Sequence, residues 1–157
     1  MGNQHYNTPP EVLDVIRWYH GRQIDLDPCS NDGSIVNAIV NIKPPEDGLM
    51  EAWEMITDPG GLIYVNPPFR EVPKWLAKGR GVDRQIIYLV PASVESNWFH
   101  DALDTHMAWL PRGRVKFWIN GKEDPRPTGG VAILANHKVD WSRLDEAIGR
   151  WRPAITV

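Results

Sequence analysis

Apolar residues along this chain follow two spacings: short unbroken runs, and positions three or four apart. Leu62-Ile63-Tyr64-Val65 and residues 86–90 are unbroken, of strand length, and bounded by Pro59-Gly60-Gly61 and Pro91. Such runs read as buried strands of a parallel sheet. Residues 24–27, 35–42, 107–110, 115–119 and 131–135 read as further strands. The other spacing occurs at Val12, Leu13, Val15, Ile16 and Tyr19, after Thr8-Pro9-Pro10. It predicts a capped helix with proline in its first turn. Residues 72–78, 96–104 and 141–151 predict three more helices, and a short amphipathic stretch surrounds Trp53.

Strands alternating with helices imply an α/β fold built on a mainly parallel sheet. The sheet is expected to finish in a β-hairpin, with residues 115–119 and 131–135 joined across the loop 120–130. No repeat or linker breaks the chain, so residues 1–157 are expected to form a single domain. In open α/β sheets, ligands bind beyond the carboxyl ends of the strands. Asp27 and Asn66 each fall just past such an end, on the same edge.

Composition narrows the class. With 157 residues, 42% hydrophobic and 24% charged, the chain has the makings of an ordinary globular core and is not a disordered segment. No run of eighteen apolar residues exists, and the chain opens on polar Met1-Gly2-Asn3-Gln4-His5. Neither a membrane span nor a signal peptide is expected. The single cysteine, Cys29, excludes an internal disulfide and fits a reducing, cytoplasmic setting.

The net charge of −3 argues against a protein that coats nucleic acid without selectivity. The charge is uneven, however. Residues 1–65 hold three basic and ten acidic side chains, whereas residues 66–126 hold ten basic and seven acidic. Basic side chains therefore begin at the end of the third strand: Arg70, Lys74, Lys78, Arg80, Arg84, then Arg112, Arg114 and Lys116. Together they predict a phosphate-facing rim.

The rim begins beside Asn66-Pro67-Pro68-Phe69. Adjacent prolines fix φ and remove two backbone donors, so the turn is stiff and presents carbonyls. An uncharged amide and an aromatic ring flank them. That set suits a planar ring bearing an exocyclic amino group, such as a nucleic-acid base. Other chemistries have less support. Cys29 lacks a companion base and reads as a packed loop thiol. His5, His20, His100, His106 and His137 show no metal spacing, and neither a nucleophile elbow nor a phosphate loop occurs.

Thr8-Pro9-Pro10, Asp27-Pro28-Cys29, Asp47-Gly48-Leu49 and Asn66-Pro67-Pro68-Phe69, in this order, together with Ile87-Tyr88-Leu89-Val90-Pro91, Trp98-Phe99 and Gly113-Arg114-Val115-Lys116-Phe117, give the chain a family likeness. It resembles the phage-type, Dam-like DNA N6-adenine methyltransferases. The resemblance implies a Rossmann-like sheet, S-adenosyl-L-methionine as cofactor, and double-stranded DNA as partner with the target adenine flipped out. It implies that Thr8 and Pro9 contact the methionine end of the cofactor. Asp27, Pro28 and Cys29 would form the first cofactor loop, and Asp47 and Leu49 would lie near its adenine. Asn66 would accept from the target amino group beside the cofactor, with the Pro67 carbonyl as second acceptor. Pro68 would stiffen the turn and Phe69 would stack on the base. Arg70, Lys74, Arg112 and Arg114 would contact the nucleic acid.

The first loop carries one glycine, Gly33, where the fold class usually has several. Asp32, Glu46 and Asp47 stay open as partners for the cofactor ribose. Sequence preference is expected from the loops at 71–84 or 120–130. Related motifs also serve RNA adenine and protein glutamine methylation, and a catalytically silent binding module is a third reading.

Overall fold

The computed structural model describes residues 6–124 and 129–157; His5 and positions 125–128 of the predicted loop lie outside the described residues. Along the chain run α1 (Pro10–His20), β1 (Leu26–Asp27), β2 (Val40–Asn41), α2 (Trp53–Ile56) and β3 (Leu62–Val65). They are followed by α3 (Val72–Arg80), β4 (Gln85–Pro91), α4 (Asn97–Leu103), β5 (Met107–Pro111) and β6 (Trp118–Ile119). The last elements are β7 (Lys122–Glu123), β8 (Val131–Ala135), α5 (Trp141–Trp151) and β9 (Ala154–Thr156).

The main sheet has the order β2-β1-β3-β4-β8-β5-β9. Its first four strands pair in parallel. β8 then enters antiparallel between β4 and β5, and β9 closes the edge antiparallel to β5. Five of the seven strands therefore point the same way. Alternation along each strand feeds two apolar layers. Leu62 and Tyr64 of β3 pack with Val12, Leu13 and Ile16 of α1 and Leu144 and Ile148 of α5. Ile63 and Val65 point the other way, to Val72 and Leu76 of α3 and Phe99 of α4. Both faces of the sheet are covered, which is why β3 and β8 are apolar at every position.

Several expectations need correction. Only Val40–Asn41 of residues 35–42 forms a strand. Asn37 adopts a left-handed φ of 50°, and the Asn41 side chain bonds Ala38 through both its N–H and its C=O. The predicted terminal hairpin does not form between 115–119 and 131–135. β8 belongs to the centre of the sheet, while Trp118–Ile119 pairs with Lys122–Glu123 as a separate two-stranded hairpin. Val115 and Phe117 are buried in the core without joining a strand. β9 has no counterpart among the predicted strands; it is short, and Ile155 and Thr156 are exposed.

Strand order reverses beside β1. The connection from β1 leads to β2 on one side, whereas β3 lies on the other. The loops after β1 and β3 therefore diverge, and a crevice opens between their carboxyl ends. Asp27 ends β1 and Asn66 follows β3.

Candidate active site

Asn66 is held from one side. Its Nδ2 donates to the main-chain carbonyl of Tyr6 at 2.7 Å and to Thr8 Oγ1 at 3.1 Å. A peptide carbonyl can only accept, so the amide nitrogen must face Tyr6 and the orientation of the group is settled by its partners. The other end, Oδ1, is buried and has no hydrogen-bond partner among the described residues. A buried acceptor left unpaired costs about 1–3 kcal/mol. Among the described residues, Asn66 Oδ1 is thus an acceptor with its orientation fixed and no donor supplied.

Thr8 is held in turn. Its hydroxyl lies 2.8 Å from that of Tyr64, which is fully buried inside β3. The sequence predicts a cap at the start of α1, but Pro9 occupies the N-cap position and no side chain caps the helix. Thr8, one position earlier, presents its hydroxyl to Asn66 instead.

Pro67 is buried, and Pro68 leads a single 3-10 turn, Phe69–Glu71, that runs straight into α3. The Phe69 ring joins an aromatic cluster: Tyr6 at 5.7 Å with the planes tilted by 31°, and Phe117 edge-on at 5.6 Å. Such pairs each contribute about 0.5–1.5 kcal/mol beyond burial. They fix the ring beside Asn66.

On the β1 side, Asp27 is 2% exposed. Burial pushes its carboxyl up to about 7, opposed by hydrogen bonds from the Cys29 N–H and the Ser30 and Ser34 side chains. No cationic side chain among the described residues pairs with it. Beyond it opens a cleft of about 370 Å³, whose lining includes Pro28, Cys29, Glu46, Asp47, Leu49 and Pro68. Asp47 caps its own turn by accepting from the Leu49 N–H at 3.0 Å. Gly48 lies so near that a Cβ there would stand 1.7 Å from the Pro28 carbonyl oxygen. The Asp47-Gly48-Leu49 turn thereby forms a wall of the cleft. Burial, followed by the charges of Asp27, Glu71 and Asp47, pushes the Cys29 thiol well above its ordinary value. That environment opposes a thiolate nucleophile.

The basic residues separate into two places instead of one rim. Lys74 lines the cleft next to Glu71 and Trp75. Arg70 is exposed on the turn before α3. Arg114 lies with Lys116, Trp118, Arg152 and Pro9 along a second groove of about 450 Å³. Trp118 of that groove is tied to the segment before Thr8: the Asn7 N–H and C=O both bond it. Arg152 donates to the carbonyls of Arg112 and Arg114 and so shapes this loop. Arg112 is exposed beside it. Lys78, Arg80 and Arg84 do not belong to the rim: α3 carries the chain back across the sheet to the amino end of β4. There Arg84 donates to carbonyls of Glu54 and Thr57, and Lys78 sits over the Trp53 ring.

Asp32 is also removed from the site. It is exposed and paired with Lys43 at 2.7 Å, whereas Glu46 and Asp47 remain on the cleft wall. Sequence reasoning missed Tyr64, Ser30, Ser34, Phe117 and Glu71. The hydroxyl of Tyr64 inside an otherwise apolar run is a readable signal, and so are serines after an acidic strand end. Phe117 stands in a motif of the family likeness and Glu71 opens the loop at 71–84, but neither has a role of its own there.

Among the described residues, no group of three His, Cys, Asp or Glu could hold a metal ion, and no helix is long and apolar enough to cross a membrane. A family model described as DNA N-6-adenine-methyltransferase (Dam) matches residues 2–138. No curated protein and no solved structure matches the chain.

Proposed function

The chain belongs to the DNA N-6-adenine-methyltransferase (Dam) family, and on that premise we propose that it transfers a methyl group from S-adenosylmethionine to the N6 amino group of adenine in DNA. The target base would be turned out of the duplex, because the amino group is otherwise out of reach. The observation that carries this reading is the Asn66 acceptor, fixed in orientation and left without a donor among the described residues.

The crevice fits the cofactor. A buried carboxylate without a counter-ion suits a cationic ligand, and Asp27 would meet the charged amino-acid end. Pro28, Cys29, Asp47 and Leu49 would take the nucleoside, with Glu46 or Asp47 at the ribose. By the family likeness Pro9, which heads α1 and lines the second groove, would approach the methionine end. When bound, S-adenosylmethionine supplies an electrophilic methyl group: an N–C bond forms as the C–S bond breaks, and the amino group gives up one proton.

The chain's own residues supply position. An adenine amino nitrogen is a weak nucleophile because its lone pair is delocalised into the ring. Asn66 Oδ1 accepting one hydrogen, with the Pro67 carbonyl accepting the other, favours a pyramidal nitrogen whose lone pair is free to attack. An amide is too weak a base to keep the departing proton, which passes to solvent. Phe69 would give the extruded base a face in place of its lost stacking, the base entering the cluster beside Tyr6. Arg114 and Lys116 would meet phosphates along the second groove, and Arg70 those near the turn.

The test is incubation with tritiated cofactor and DNA, RNA or protein, followed by nucleoside analysis. Label in N6-methyladenine from DNA is expected. Label only in RNA or in glutamine would replace the substrate, and no label with no cofactor binding would leave a silent module.

A further inference from the structure

We propose that Thr8 is a positioning residue: with the Tyr6 carbonyl it locks the Asn66 amide so that only its oxygen is left for the substrate. The inference rests on the methyltransferase reading for its consequence, though not for its geometry.

A free asparagine side chain is ambivalent. Turned one way it offers an acceptor, and turned the other it offers two donors. An acceptor receives an exocyclic amino group; donors would receive an exocyclic carbonyl. Here both amide hydrogens are already given away, to Tyr6 O at 2.7 Å and Thr8 Oγ1 at 3.1 Å. A flipped amide would set its oxygen against the Tyr6 carbonyl, acceptor to acceptor. The lock therefore selects for an amino group and against a carbonyl on the incoming ring.

The supports are specific. Thr8 is 1% exposed, so no water competes for its hydroxyl. The Tyr64 hydroxyl, 2.8 Å away, keeps Thr8 Oγ1 turned to the site. The helix that Thr8 precedes goes without a side-chain cap. Thr8 lies one residue before the N-cap Pro9, and its hydroxyl bonds Asn66 and Tyr64 rather than the helix.

The experiment compares Thr8→Val, which keeps the shape and removes the hydroxyl, with Thr8→Ser, which restores it. Steady-state kinetics should show kcat for Thr8→Val lowered on the order of tenfold. KM for the cofactor should stay within about twofold, because the lock orients a group that acts on the base. Thr8→Ser should recover most of the rate. A loss confined to cofactor KM would make Thr8 a cofactor contact and overturn the proposal. An unchanged kcat, or a Ser variant as slow as the Val variant, would also overturn it.

A second readout needs no activity. The side-chain amide hydrogens of Asn66 should exchange slowly with solvent in the wild-type protein by NMR, and faster in Thr8→Val. Rapid exchange in the wild type would show that no lock exists. If the wild type methylates nothing, the functional reading fails while this measurement still decides the geometry.

Discussion

The hydroxyl of Tyr64 lies 2.8 Å from that of Thr8, joining the middle of the central sheet to the start of α1. This bond links two segments 56 residues apart and places the Asn7–Thr8 strip over the end of β3. Tyr64→Phe removes only the hydroxyl. The ring keeps its place in the core, so the fold should survive with about 1 kcal/mol of stability lost. Methyl transfer should fall severalfold at saturating cofactor, with cofactor affinity unchanged by calorimetry.

Gly48→Ala should damage the cleft without touching the motif. The added Cβ would stand 1.7 Å from Pro28 O, which is backbone and cannot rotate aside. Overpacking of this kind costs about 1–3 kcal/mol. A lower melting temperature is expected together with weakened cofactor binding, measured by thermal unfolding and titration calorimetry.

Asp27 sets a pH dependence whose sign is defined. Its folded value, about 7, stands above the ordinary 3.8, so the folded state holds the proton more tightly. Its contribution to stability is full below about pH 4 and is lost as pH rises through about 7. A cation bound beside Asp27 draws the proton off, so cofactor affinity should rise with pH across the same upper part of that range. Asp27→Asn should flatten both profiles and weaken cofactor binding, as read by thermal shifts from pH 5 to pH 9.

Arg114 lines the second groove together with Pro9, Lys116 and Trp118. Arg114→Ala should weaken DNA binding severalfold, and by similar factors for unrelated sequences. The slope of log K against log salt should fall by about one. Fluorescence anisotropy at several salt concentrations measures this. An unchanged slope would place phosphate contact elsewhere.

The elements that carry their own pattern were legible: α1, β3, β4 and α5 follow from apolar spacing alone. The crevice was legible too, because Asp27 and Asn66 end strands that point the same way. The segment at 35–42 misleads because its apolar residues serve a turn through left-handed Asn37, where local side-chain bonds outweigh β-propensity. Val115 and Phe117 are buried by packing under α1 and beside Phe69, without strand pairing. The role of Thr8 was hidden because its partners lie 56 and 58 residues away, and local signals favour a helix cap. The close approach of Gly48 to Pro28 is likewise a contact between distant turns, with no trace in spacing.

Methyl transfer by the wild type and by Asn66→Ala, measured side by side with tritiated cofactor and DNA, tests the central claim most directly. The expected result is N6-methyladenine from the wild type and a rate lowered about a hundredfold or more in the variant, with cofactor still bound. Wild-type rates in Asn66→Ala, or label on an atom other than the adenine amino nitrogen, would contradict it.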